Sequence, residues 1–255
     1  MARQLTFGSL FAGIGGFDLG FERAGMRCVW QVEIDPFCRK VLAKHWPNVR
    51  RWDDVRTFPP EPTEDWTCDV ICGGFPCQDI SASGRGAGID GERSGLWAEF
   101  SRIVRVLRPR FVVVENSAIL TARGLGRVLG DLAAVGFDAE WSVLSACAFG
   151  APHTRERMFV VADSQPAERR SVGAEERRLA DEHDRLQGER EEDSGRAREC
   201  FATARRQWVR EPGMARVVDG VPGRVDRLRG LGNAVVPQVA EWIGRRIVEA
   251  LDMTL

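Results

Sequence analysis

Four groups of residues in this chain have types and spacings suited to chemistry. Cys77 lies in Gly73-Gly74-Phe75-Pro76-Cys77-Gln78-Asp79-Ile80-Ser81, directly behind the apolar run Val70-Ile71-Cys72. Pro76 fixes its own φ and biases Phe75 toward extended backbone, so the run ends in a stiff turn that presents the thiol. A thiolate there suits attack on a carbon such as C6 of a pyrimidine, because it is a strong nucleophile and also a good leaving group. Taken singly, a free cysteine is more often an inert core side chain; the other three groups decide between the two readings.

The second group is Glu115-Asn116, which closes the apolar run Phe111-Val112-Val113-Val114. In a parallel sheet that run ends on the same edge as Cys77, where a partly desolvated carboxyl group stays protonated and donates to a ring nitrogen. The third is His153-Thr154-Arg155-Glu156-Arg157, leading into Met158–Ala162. Strand alternation predicts His153, Arg155 and Arg157 on one face, a place for two arginines if an anionic substrate fills the site. Surface ion pairs are the competing explanation.

The fourth group is a glycine turn, Phe11-Ala12-Gly13-Ile14-Gly15-Gly16, placed between a β-rich run and a helical one. Glycines in that context let backbone approach a ligand at a helix N-terminus, although this is not the full dinucleotide fingerprint. Glu33 ends the next β-rich run twenty positions after Gly13, where an acid accepts hydrogen bonds from a ribose diol. Asp53 and Asp54 follow, and one of them reaches the amino group of an adenine.

These groups require a scaffold that brings strand ends to one edge. β-rich runs at Leu5–Leu10, Arg27–Glu33, Asp69–Cys72, Phe111–Glu115, Ser142–Cys147 and Met158–Ala162 alternate with helical stripes, the pattern of an α/β fold with a mostly parallel sheet covered on both faces. Phe100, Ile103, Val104 and Leu107 form one stripe, and Leu125, Val128, Leu129 and Leu132 another; both are predicted core. A last helix begins near Pro237, with Ala240, Ile243 and Ile247 inward. Between Ser164 and Glu199 the chain is dominated by Arg, Glu, Asp, Gly and Ser. Such a stretch cannot build a core alone, and is either a solvated insert or a lobe that orders on a partner.

Composition narrows the function classes. With 255 residues, 44% of them apolar, the chain can bury a sizeable core. No stretch is apolar for the length of a membrane span and no secretory signal is visible. Seven scattered cysteines and three histidines fit reduced cytoplasmic thiols and no metal centre. Net charge is −1, and Lys40 and Lys44 are the only lysines. Positive charge is therefore almost all arginine, whose planar fork suits phosphate and guanine edges; a codon bias toward arginine accounts for it equally well.

Taken in order, FAGIGG, VEIDPF, the Asp-Val after Trp52, GGFPCQDIS, GERSGLW, VVVENS, APHTRERMFVVA and LGNAVVPQVAE resemble the DNA (cytosine-5) methyltransferase family from end to end. The resemblance implies a Rossmann-like S-adenosylmethionine-dependent methyltransferase fold with a small, short target-recognition lobe. The domains expected are a catalytic domain over 1–163, a target-recognition region over 164–222 and a returning segment over 223–255. It implies S-adenosylmethionine held by Phe11, Ala12, Gly13, Gly15, Glu33, Ile34, Asp54, Pro76, Leu96 and Asn233. It implies Cys77 as nucleophile, Glu115 as partner of the cytosine N3 edge, Arg157 as anchor of O2, and Arg155 as support for Glu115 or the extruded nucleotide. Contacts to double-stranded DNA fall to Gln78, Ser81, Arg85, Arg93, Arg224 and Arg227, with a loop over Gln78–Gly95 closing on the base and readout within Arg205–Arg227. A cytoplasmic monomer is expected, with a possible cognate restriction endonuclease. The chain departs from the family's usual pattern at His153, Ser117 and Ala234. A tRNA cytosine-5 methyltransferase and an inactive nucleic-acid-binding relative are the alternatives.

Overall fold

The computed structural model describes residues 3–60, 65–76, 95–164 and 224–252; the side chains of 224, 227–229 and 252 lie outside that description. The elements run β1 (Thr6–Leu10), α1 (Gly16–Arg23), β2 (Arg27–Val32), α2 (Pro36–His45), β3 (Arg50–Trp52), β4 (Val70–Gly74), α3 (Leu96–Leu107), β5 (Phe111–Ser117), α4 (Leu125–Ala134), β6 (Asp138–Ser145), β7 (Glu156–Asp163), α5 (Arg224–Asn233) and α6 (Pro237–Asp252). Seven strands form one sheet in the order β3-β2-β1-β4-β5-β7-β6. β7 is antiparallel to both of its neighbours, and the other strand pairs are parallel. The α/β expectation holds.

This order places a switch point between β1 and β4. The chain moves outward from β1 to β3, then returns to lay β4 on the other side of β1. Connections therefore diverge above the carboxyl ends of β1 and β4, leaving the crevice where ligands bind in open α/β sheets. The glycine turn leaves β1 and Phe75-Pro76 leaves β4 at that edge.

Side-chain alternation sorts each strand into two cores. Val112 and Val114 face α3 and α4, packing with Phe100, Ile103, Val104, Leu125, Val128 and Leu132. Phe111 and Val113 face the other way, toward Phe17 and Phe21 of α1 and Val239, Ala240, Ile243 and Ile247 of α6. Within the second face Asp18 is fully buried, accepting hydrogen bonds from Gln31 Nε2 (2.8 Å), Ser9 Oγ (3.2 Å) and Cys28 Sγ (3.5 Å). Burial raises its pKa despite those donors.

One strand and several boundaries differ from the sequence expectation. β3 was not anticipated, because Arg-Arg-Trp shows no apolar alternation. β6 spans Asp138–Ser145, upstream of the expected Ser142–Cys147; as an edge strand it is half polar and leaves Trp141 exposed. β7 begins at Glu156, so strand alternation does not reach His153 or Arg155. The 164–222 lobe lies outside the described residues, apart from Ser164, as do the Gln78–Gly95 loop up to Ser94 and the readout segment before Arg224. No described helix is long and apolar enough to cross a membrane.

Candidate active site

Parallel pairing of β4 with β5 sets Gly74 opposite Glu115. A Cβ on Gly74 would lie 2.5 Å from Glu115 Oε2, and one on Gly73 would lie 2.4 Å from the Leu10 carbonyl. Gly74 thus leaves room for the Glu115 carboxyl group, while Gly73 lets β4 approach the end of β1. Glu115 is buried and meets Arg157, Nε to Oε1 at 3.0 Å. Burial pushes its pKa up to about 7, against the pull of Arg157 and then Arg155. A carboxyl in that range holds a proton near neutral pH and can donate it to a ring nitrogen. The neighbouring Asn116 donates from Nδ2 to the Phe75 carbonyl at 3.0 Å, pinning the exit that leads to Pro76. Cys77, the next residue in the chain, lies outside the described residues, as do Gln78, Ser81, Arg85 and Arg93 and the side chains of Arg224 and Arg227.

The two arginines reach the site differently from the single strand face expected. Arg155 has φ 31°, a left-handed value outside β7, whereas Arg157 lies within the strand; His153 is exposed in the preceding turn. Arg155 donates from Nη1 to the Gly232 carbonyl and from Nη2 to the Ala234 carbonyl, both at 2.7 Å. It influences Glu115 through its charge, and the direct ion pair belongs to Arg157.

On the other side of the crevice Glu33 organises the glycine turn. Its Oε2 accepts from the Gly13 amide at 2.7 Å and its Oε1 from the Asp35 amide at 2.8 Å, and burial raises its pKa. Each carboxylate oxygen has two acceptor sites, so capacity for a diol remains. Asp54 caps a short turn by accepting from the Arg56 amide and pairs with the Arg56 side chain at 3.6 Å, while Asp53 pairs with Arg39 at 3.3 Å. Ile34 is 62% exposed, an apolar surface suited to a flat ring. An acid for a diol, a second acid for an amino group and an uncovered apolar side chain fit a nucleoside.

Both sides line one cavity of about 420 Å³. Phe11, Ala12, Gly13, Glu33, Ile34, Asp54, Pro76, Leu96, Asn233, Glu115, Arg155 and Arg157 all border it. Gly15 does not: it has φ 89° as the residue before α1, and a Cβ there would meet the Trp46 ring at 2.5 Å. Its role is the turn, and Gly16 takes the place at the cavity wall. Gly74, Asn116, Ala234 and Val235 also line the cavity, and none of them is among the expected site residues. Gly74 and Asn116 were legible as neighbours of Cys77 and Glu115, whereas the positions of Ala234 and Val235 follow only from how the last helices return to α1.

A family model described as C-5 cytosine-specific DNA methylase matches residues 5–208. The type II methyltransferase M.NgoFVII of Neisseria gonorrhoeae is 34% identical over 157 residues, covering 60% of this chain and 42% of the relative. The type II methyltransferase M2.BsuMI of Bacillus subtilis is 33% identical over 162 residues, covering 60% and 41%. The chain therefore spans about two fifths of the length of these curated relatives. A solved structure of an E. coli prophage-encoded protein, assigned as a DNA modification methyltransferase, superposes with TM-score 0.53 at 27% identity, covering 63% of this chain and 47% of that one.

Proposed function

Because the chain belongs to the C-5 cytosine-specific DNA methylase family, we propose that it transfers a methyl group from S-adenosyl-L-methionine to C5 of a cytosine extruded from duplex DNA. The observation that carries this reading is the shared cavity, which joins the Glu115–Arg157 pair and the Pro76 strand exit to the glycine turn and Glu33. A nucleophile, a proton donor and a nucleoside-binding wall are useful together only if the two ligands react with each other.

Cytosine C5 is a poor nucleophile. Addition of the Cys77 thiolate at C6, with the Glu115 proton passing to N3, makes C5 an enamine carbon. Arg157 anchors O2 and holds the Glu115 carboxylate once its proton has left. When bound, the donor would supply a methyl group on a positively charged sulfur, which would leave as the neutral thioether as C5 takes the methyl. Loss of the C5 proton to water, elimination of Cys77 and return of the N3 proton to Glu115 restore the aromatic ring. A base inside a duplex cannot meet these groups, so it must be extruded, at about a few kcal/mol.

Glu33 takes the ribose diol of the donor, Asp54 the adenine amino group, and Ile34 and Leu96 the ring faces. Gln78, Ser81, Arg85, Arg93, Arg224 and Arg227 are the proposed DNA contacts. The type II naming of the relatives supports a cognate restriction endonuclease as a functional partner.

The test is covalent capture. Duplex DNA containing 5-fluorocytosine, incubated with labelled donor and the full chain, should give an adduct stable to denaturation that disappears in Cys77→Ser. Label passing only to tRNA, or to no nucleic acid, would sink the DNA reading.

A further inference from the structure

Arg155 carries more than its place beside Arg157 accounts for. Its guanidinium spans two carbonyls, Gly232 and Ala234, at 2.7 Å each and 77 and 79 residues away. Gly232 is in the last turn of α5, where four carbonyls lack helical partners and the helix dipole favours a cation. The two bonds bracket Asn233, and Asn233, Ala234 and Val235 form one wall of the cavity. That wall is pressed hard against the glycine turn: a Cβ on Gly16 would lie 2.3 Å from the Val235 carbonyl oxygen. A non-glycine residue at φ 31° persists only where its surroundings hold it. Here the tether to 232–234 supplies that hold, and it commits the two Nη atoms to backbone carbonyls while Arg157 takes the direct ion pair with Glu115.

We infer that Arg155 is a positioning residue that holds the 232–235 segment against the glycine turn, so that donor binding depends on it before any base is present. The identity of the ligand rests on the methyltransferase reading above; the tether itself does not. The two arginines then divide the work, Arg157 serving Glu115 and Arg155 serving the donor wall. Each bond is charge-assisted, and a lysine has a single nitrogen where the guanidinium has a fork matched to two acceptors.

The experiment is calorimetric titration of the full chain with S-adenosylmethionine, without DNA, for wild type, Arg155→Ala, Arg155→Lys and Arg157→Ala. Donor affinity should fall about tenfold or more in Arg155→Ala, with an intermediate loss in Arg155→Lys. Arg157→Ala should bind the donor within about twofold of wild type while losing the 5-fluorocytosine adduct. Arg155→Lys keeps the comparison usable if the alanine variant does not fold. If both Arg155 variants bind the donor as wild type does and lose only turnover on DNA, the inference is overturned. Should the wild type bind no donor, the methyltransferase reading fails. Amide exchange over 231–236 then decides the tether, faster exchange in Arg155→Lys supporting it and unchanged exchange overturning it.

Discussion

At the scale of single residues the site is governed by one carboxyl group. Glu115 is raised from an ordinary value of 4.5 to about 7 because burial penalises its charge more than Arg157 and Arg155 favour it. In the proposed mechanism a protonated Glu115 donates to N3, so kcat/KM on DNA should fall as pH rises through about 7 in the free enzyme. A profile still flat or rising at pH 8.5 contradicts that assignment. Stability must move with the same proton. A folded-state pKa above the unfolded one contributes stability that is present below about 4.5 and is lost as pH rises through about 7. Glu115→Gln, isosteric with the protonated acid, should therefore match wild type near pH 4.5 and be more stable at pH 8 by about 2–3 kcal/mol, read from urea melts at the two pH values. The place of this acid at the carboxyl edge of the sheet was legible in the sequence because it ends an uninterrupted apolar run. Its pairing was less so: the run tells which edge Glu115 occupies, but the Gly74 gap and the left-handed turn at Arg155 are properties of the folded backbone.

The secondary elements matter for how they close the crevice. α1 and α6 meet through small residues: a Cβ on Gly20 would lie 2.5 Å from Ala240 Cβ, 2.6 Å from the Pro237 carbonyl and 2.8 Å from the Glu241 amide. Two of those three atoms are backbone, so the helices themselves must shift. Gly130 in α4 has no neighbour within 4 Å of the same probe position. Gly20→Ala should destabilise by about 1–3 kcal/mol, overpacking outweighing helix propensity. Gly130→Ala should stabilise by up to about 1 kcal/mol through propensity alone. Denaturant midpoints read both, and shifts of the same sign would break the packing account. The apolar stripes of α3, α4 and α6 were readable from spacing, since each faces one core. β3 and the ends of β6 and β7 were not, because short or edge strands carry polar residues and their boundaries are set by tertiary pairing.

Across the whole molecule, the cavity joins distant parts of the chain. The glycine turn follows β1, near the beginning of the sequence, while Asn233–Val235 precede the last helix, and the two meet at Gly16 and Val235. A ligand seated between them binds only when β1, α1 and the returning segment are all in place, so it must shift the folding equilibrium of the described fold and not merely a loop. At one hundred times its dissociation constant, S-adenosylhomocysteine should stabilise by about 2.7 kcal/mol, which for a chain of this length is a rise of roughly 5–10 °C in Tm. Glu33→Ala removes the acceptor of the Gly13 and Asp35 amides together with the proposed diol acceptor. Its melting temperature should therefore respond far less at the same ligand concentration. A wild-type Tm indifferent to the ligand would contradict the nucleoside assignment of this wall. An equal rise in Glu33→Ala would instead keep the ligand and remove Glu33 from its binding, leaving the glycine turn and the 232–235 segment as the groups that hold it.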